Sequence, residues 1–301
     1  MYDIIIVGAG TAGMSAAIYG LRAGKKVLMI EGKSYGGQII NTPEVENYPG
    51  IKKVSGFEFA TNLYQQAIDL GAEIIYEKVV QIKDENNHKT VVTDNNGYQT
   101  KTVIIATGAK NRPLGLEREK ELIGAGVSYC ATCDGMFFRG KDVAVVGGGN
   151  TALEDAVFLS NFCDNLYIIH RRDSFRGEDK LVKALKEKEN VTFVLDSVVV
   201  KLLGENNVEG ISVKNVKDNT ITDITVSGIF IAIGQEPDNQ VFSDLINLDE
   251  KGYVRAGEDC ITNIEGVFVA GDCRTKSVRQ LTTAAADGAV AALAACEYMI
   301  D

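Results

Sequence analysis

The chain has 301 residues, enough for about two domains that each bury a core. Hydrophobic residues at 45%, charged residues at 24% and a mean hydropathy of -0.01 describe a folded globular protein and exclude disorder and a membrane-spanning class. The sum of 31 Lys and Arg against 41 Asp and Glu leaves a net charge of -10, which excludes the general basic surface of a nucleic-acid binder.

The chain opens with Asp3-Ile4-Ile5-Ile6-Val7, a short β-branched run that predicts a parallel strand buried on both faces. The early acid and the shortness of the run argue against a secretion signal. Gly8-x-Gly10-x-x-Gly13, with Thr11 and Ala12 inside it, follows directly and opens an alanine-rich helix. In that context the first glycine permits a tight turn, the second lets the backbone approach a pyrophosphate, and the third lets helix and strand pack closely. Lys26-Val27-Leu28-Met29-Ile30 reads as the next strand, ending at Glu31, where a carboxylate accepts hydrogen bonds from an adenosine ribose. Alternating residues such as Lys89–Thr93 read as meander strands, with His88 in a solvated turn before them, and Val103-Ile104-Ile105-Ala106-Thr107-Gly108 closes the unit.

Cys130-Ala131-Thr132-Cys133-Asp134 comes next, the only C-x-x-C among six irregularly spaced cysteines. That usage is no disulfide scaffold and points to a reducing cytoplasm. A zinc site lacks ligands, since the only histidines are His88 and His170, so no metal is expected. Two buried apolar thiols are a second reading. A redox disulfide is better equipped, because the spacing lowers one thiol pKa and Asp134 stands ready to shuttle a proton.

An echo of the first motif follows. Asp142-Val143-Ala144-Val145-Val146 leads into Gly147-x-Gly149-x-x-Ala152, with Asn150 and Thr151 inside it, at an offset of 139 residues from Gly8. Its second strand, Leu166–Ile169, ends in His170-Arg171-Arg172 with Arg176 beyond, so cations stand where the first unit has Glu31. Guanidinium groups pair with a 2′-phosphate, which favours NADPH over NADH. Gly210–Lys214 repeats the meander, and Ile229-Phe230-Ile231-Ala232-Ile233-Gly234 closes the second unit as Val103–Gly108 closes the first. A last strand over Gly266–Ala270, then Gly271-Asp272, and a helix from about Leu281 to Met299 opening after Arg279-Gln280 return the tail to the first domain. Asp272 is placed to bond a ribityl hydroxyl, and the helix opening at Leu281 to direct its positive end at a flavin. Two dinucleotide sites suggest one resident cofactor and one exchanging donor, FAD and NADPH. The fold class is α/β: two Rossmann-like three-layer dinucleotide-binding domains, each with an added β-meander.

From end to end the ordered set of motifs resembles the low-molecular-weight thioredoxin reductases. To the residues above it adds Gly36-Gly37-Gln38 and Glu46-Asn47-Tyr48-Pro49-Gly50. The resemblance implies a discontinuous FAD domain over 1–113 and 241–301, an NADPH domain over 114–240 carrying the dithiol, and a homodimer. It implies FAD contacts at Gly36, Gly37, Gln38, Asn47, Ala106, Thr107, Gly108 and Gln280, and NADPH contacts at Ile233 and Gly234. It also implies a Cys130–Cys133 disulfide in which Cys133 faces the flavin, Cys130 attacks thioredoxin or a thioredoxin-like protein, and Asp134 is the acid/base. The dithiol and the nicotinamide share one domain yet must reach one flavin, so rotation is implied, with hinges near Pro113-Leu114-Gly115 and Gln235-Glu236-Pro237. Thr11 and Val278 depart from residues common in relatives, and neither change removes a reacting group. The alternative reading is a related flavin disulfide reductase with another dithiol partner or with ferredoxin as donor.

Overall fold

The computed structural model describes residues 1–85 and 87–300, with Asn41 as backbone only. The chain divides into two compact units, Met1–Lys110 with Glu236–Asp301, and Asn111–Gln235.

In the first unit the opening run forms β1 (Tyr2–Val7), followed by α1 (Thr11–Arg22), β2 (Val27–Glu31), α2 (Gly56–Asp69) and β3 (Glu73–Tyr76). The meander is β4 (Val79–Glu85), β5 (His88–Thr93) and β6 (Gly97–Ile105). β1 lies between β2 and β6, parallel to both, with Ile4 opposite Val27 on one side and Thr102 on the other. Successive side chains of β1 serve different cores. Ile4 and Ile6 pack beneath the helices with Met14 and Ala16, while Ile5 and Val7 pack on the opposite face with Phe242 and Val254. That division is why the run is apolar throughout instead of alternating.

β6 has two roles. Its first half, with Thr100 opposite Lys89, pairs antiparallel with β5, and its buried second half pairs parallel with β1. His88 therefore begins a strand instead of sitting in a turn, with Nε2 2.8 Å from Glu85 Oε2.

The second unit follows the short crossing strand β7 (Ala109–Asn111). It contains β8 (Val127–Ser128), α3 (Ala131–Asp134), β9 (Val143–Val146), α4 (Asn150–Leu159), β10 (Leu166–Ile169), α5 (Asp179–Lys186) and β11 (Val191–Val194). β12 (Ser197–Leu203), β13 (Gly210–Asn215), β14 (Ile221–Ile224) and β15 (Gly228–Ile231) complete it. The parallel sheet runs β11-β10-β9-β15-β8. Val143 and Val145 pack on α4, and Ala144 and Val146 pack against Val199 and Ile211 of the meander.

Here the expectation of meander strands added to the parallel sheet meets a difference. β12-β13-β14 form a separate three-stranded sheet that packs over the parallel one. The reason is local: the chain breaks over 225–227, between β14 and the four-residue β15, so no single strand spans both sheets as β6 does.

The chain crosses back through β16 (Gln235–Pro237), adds β17 (Val267–Val269) parallel to β6, and ends in α6 (Leu281–Tyr298). Small residues let α6 approach α1. A Cβ at Gly288 would lie 2.2 Å from Ala12 O.

Candidate active site

Gly8 follows β1 at φ 107°, a conformation that glycine adopts without strain. A Cβ there would meet Ala106 O at 2.4 Å, and one at Gly13 would meet Gly8 O at 1.9 Å, whereas Gly10 faces open space. α1 starts with no side-chain cap and no acid in its first turn. By contrast, Ser55 caps α2 by accepting from Glu58 N at 3.1 Å, and Gln280 and Thr283 cap α6 reciprocally. The first N–H groups of α1 thus remain open to an anion at a turn whose central glycine leaves room for it.

The other predicted residues of this unit collect around that turn. Gly36 bridges to Gly10, with its N–H donating to Ala9 O at 2.8 Å, and a Cβ at Gly37 would reach Gly10 Cα. Gln38 donates to Ala109 O, just past Gly108. Asn47 Nδ2 is 3.4 Å from Gln280 Oε1, one residue before Leu281 opens α6. Glu31 braces the turn: its two oxygens accept from Ala9 N and Lys33 N, each at 2.9 Å. A carboxylate so held keeps lone pairs for a further hydroxyl.

Gly271, at φ 80°, puts its missing Cβ within 2.8 Å of Ala12 Cβ. The neighbouring Asp272 Oδ1 is the one buried side-chain polar atom among the described residues without a hydrogen-bond partner. Burial raises the Asp272 pKa against the pull of Lys276 and Arg279. Native structures rarely leave such an atom unpaired, so a hydroxyl donor from a bound group fits there. Arg279 stacks over the Tyr253 ring at 4.3 Å and donates to Asp272 O at 3.3 Å. Thr107 donates to buried Asn239, which in turn donates to Gly252 O and Cys273 O.

Behind this turn lies a buried ionic cluster. Arg274 and Asp287, 1% and 5% exposed, form a two-point pair at 2.8 and 2.9 Å. Asp287 Oδ2 also accepts from Lys276 Nζ and from Gly271 N, each at 2.9 Å. Burial works against the Asp287 charge, but the bonds from Arg274 and Lys276 outweigh it and hold the pKa down.

In the second unit, a Cβ at Gly147 would meet Ala232 O at 2.4 Å and Ala152 Cβ at 2.6 Å, which fixes Gly147 and the small Ala152 beside the strand end before Ile233-Gly234. Gly149 faces open space, and α4, like α1, begins without a side-chain cap. Asn150 ties to Glu178, with Oδ1 accepting from Glu178 N at 2.8 Å, and Thr151 is exposed. His170 is buried instead of lining the opening. Its ring would lie 2.1 Å from a Cβ on Gly148, and it stacks on Phe175 and bonds Ser174 O at 3.0 Å. Burial, with help from Arg172, Arg176 and Arg171, lowers its pKa, so His170 is a neutral packing piece at pH 7. Arg171, Arg172 and Arg176 are exposed, and Arg176 N donates to Gly148 O at 2.8 Å, which folds the basic loop onto the glycine turn.

Cys130 and Cys133 are joined by a disulfide, with Cα atoms 5.3 Å apart. The other cysteines, Cys163, Cys260, Cys273 and Cys296, are buried thiols. Asp134 follows the disulfide directly. Ser128 Oγ donates to Asp134 Oδ2 at 2.6 Å and accepts from Cys130 N at 3.1 Å, so one hydroxyl joins the acid to the disulfide limb. Burial raises the Asp134 pKa while the Ser128 bond opposes the rise. Burial favours the protonated form of this carboxyl, and its place beside the disulfide limb suits it to hand a proton to a sulfur there. Among the described residues no cluster of His, Cys, Asp and Glu could hold a metal ion.

The sequence profile of the pyridine nucleotide-disulphide oxidoreductases matches residues 2–288. The chain belongs to that family. It is 42% identical over 298 residues to a 34.2 kDa protein in the rubredoxin operon of Clostridium pasteurianum, covering 99% of this chain and 97% of that one. It is 41% identical to the thioredoxin reductase of Mycoplasma genitalium, covering 97% of this chain and 94% of the relative. The crystal structure of thioredoxin reductase from Streptococcus pyogenes superposes with a TM-score of 0.95 at 41% identity, covering 100% and 98% of the two chains. Within the family, the branch is that of the low-molecular-weight thioredoxin reductases.

Several residues around these turns lie outside every motif. Ser128 carries no motif signal. Asn239, Arg274 and Lys276 stand in unpatterned stretches, whereas Asp287 was findable as a lone acid on the buried Ala284, Ala291 and Ala295 face of α6.

Proposed function

We infer that the protein is an FAD-containing oxidoreductase that uses NADPH to reduce the disulfide of thioredoxin. The Cys130–Cys133 disulfide, tied through Ser128 to Asp134 in the same unit as an arginine-flanked nucleotide cradle, carries this reading. In the first unit Gly8, Gly10, Thr11, Ala12, Gly13, Glu31, Gly36–Gln38, Asn47, Ala106–Gly108, Gly271–Asp272 and Arg279–Leu281 would hold FAD. The open end of α1 and the orphaned Asp272 oxygen support that fit. When bound, FAD passes the electron pair of a nicotinamide hydride to a disulfide. In the second unit Gly147, Gly149, Asn150, Thr151, Ala152, Ile233 and Gly234 would cradle NADPH, and Arg171, Arg172 and Arg176 its 2′-phosphate. His170 sets the loop from below.

Once the disulfide is reduced, Cys130 attacks a thioredoxin sulfur as thiolate and forms a mixed disulfide, and the departing thioredoxin thiolate takes a proton from Asp134. Cys133 then gives up its proton and attacks the Cys130 sulfur, which restores the internal disulfide and releases the second thioredoxin sulfur, and that sulfur takes up the proton. The sum is NADPH, a proton and oxidised thioredoxin going to NADP⁺ and thioredoxin dithiol. Because nicotinamide cradle and disulfide share a unit, the two halves of the cycle require the units to reorient, with hinges near Pro113–Gly115 and Gln235–Pro237. A homodimer and a cytoplasmic location complete the reading. The dimer rests on the family resemblance, and the four thiols outside the disulfide support the compartment.

Anaerobic NADPH oxidation by the flavin-loaded protein, with and without oxidised thioredoxin, tests the function. A thioredoxin-dependent rate is expected, and a rate that thioredoxin does not raise contradicts it. Two finer expectations follow from the geometry. Replacing Arg171, Arg172 and Arg176 together by Gln should raise the NADPH KM by about tenfold to a hundredfold, the worth of a charge-assisted bond or two, and leave the NADH KM unchanged. Equal losses for both nucleotides would remove the 2′-phosphate role. Ser128→Ala withdraws a bond that favours ionised Asp134, so the pH–rate profile of thioredoxin reduction should move to higher pH. An unmoved profile would detach Asp134 from proton transfer.

A further inference from the structure

Glu119 lies outside every motif, yet it is a carboxylate only 2% exposed. Its oxygens gather four donors: Leu114 N at 3.0 Å, Gly115 N at 2.8 Å, Leu116 N at 3.1 Å and the Tyr129 hydroxyl at 2.6 Å. The three amides belong to the turn that follows the first crossing strand, and Gly115 there has a φ of 78°. Tyr129 is the residue immediately before Cys130. Leu114, Leu116 and Tyr129 all pack against the same core of the second unit. On the other side of Tyr129, Ser128 holds Cys130 N and Asp134. The limb carrying Cys130 is thus pinned at two successive side chains, one leading to the acid and the other to the hinge-side turn.

We propose that Glu119 is a positioning residue for the redox disulfide: through Tyr129 it fixes the Cys130 limb to the 114–116 turn and thereby favours closure of the Cys130–Cys133 bond. The inference rests on the redox reading of that disulfide. Holding a limb in the geometry of the bond spares the ordering that closure otherwise requires, an effect of about threefold to tenfold for one immobilised side chain. Glutathione is the probe: two glutathione thiols reduce the disulfide to Cys130 and Cys133 thiols and leave one glutathione disulfide, so the equilibrium constant is read from the alkylated fraction.

With the full flavin-loaded chain, Glu119→Gln and Tyr129→Phe should each shift that equilibrium toward the dithiol by threefold or more, while NADPH-driven reduction of ferricyanide stays at the wild-type rate. Tyr129→Phe leaves the three amides paired, so it decides the matter if the glutamine variant fails to fold. An equilibrium constant within twofold of wild type in the phenylalanine variant, even with a lowered Tm, overturns the proposal and leaves Glu119 a structural residue. A wild-type disulfide that never equilibrates with glutathione would instead remove the redox reading itself.

Discussion

Serine at Cys130 or at Cys133 is expected to lower thioredoxin reduction by at least about a thousandfold, because a hydroxyl neither attacks nor leaves in thiol–disulfide exchange at neutral pH. The loss should be confined to that half of the cycle. Both cysteines lie apart from the Gly147–Ala152 cradle in sequence. NADPH should therefore still bleach the flavin absorbance in either variant at close to the wild-type rate. Stopped-flow absorbance separates the two outcomes. A variant that retains thioredoxin reduction would show that another thiol carries the exchange, although the remaining cysteines are buried and burial pushes those of Cys163 and Cys260 up to about 11 and about 12.

Asp287→Ala should have the largest effect on stability. It leaves Arg274 and Lys276, with side chains 1% and 4% exposed, without their shared counter-charge, and it removes the acceptor of Gly271 N. Stranding a buried charge costs about 3–5 kcal/mol, which lowers the Tm of a unit this size by on the order of 10 °C. Glu258 offers little rescue, since it is 89% exposed and its bond to Arg274 is solvated. The Asp287 pKa is lowered by folding, so its contribution is present above the unfolded carboxyl pKa and fades as the pH falls through the folded value. The gap between wild type and variant should accordingly be full at pH 7 and shrink below about pH 4. Because Gly271 and Asp272 lose their anchor, flavin retention after gel filtration should fall as well. Thermal unfolding at the two pH values, with the flavin ratio measured alongside, checks both parts. A Tm within a degree of wild type at pH 7 would mean that the cluster is not the support described.

Much of the fold was legible because the signals are local. Unbroken β-branched runs such as Ile4–Val7 and Val143–Val146 become strands covered on both faces, and the first glycine of each motif, Gly8 and Gly147, becomes a turn where a Cβ would strike backbone. The Cys130–Cys133 pair and the basic loop at Arg171, Arg172 and Arg176 were legible for the same reason, as spacing alone carries them. What escaped depends on contacts between distant residues. Nothing near Glu119 or Ser128 in the sequence announces that one will grip Tyr129 and the other Asp134, since those bonds exist only after β8 and α3 have packed. His170 shows the converse. Its place at the head of a basic triplet suggested a ligand contact, yet its ring fills the space that Gly148 leaves empty. The separate meander sheet of the second unit was hidden too, because only the extra length of β6 over β15 determines whether one strand can serve two sheets.

The central claim is that electrons from NADPH reach the Cys130–Cys133 disulfide within this chain. Anaerobic addition of NADPH to the flavin-loaded protein, without thioredoxin, followed by alkylation and mass spectrometry, examines it most directly. NADPH should render Cys130 and Cys133 alkylatable together, in the Ser128→Ala variant as in the wild type, and should leave them joined in protein stripped of flavin. Flavin that bleaches fully while both cysteines stay joined would contradict it.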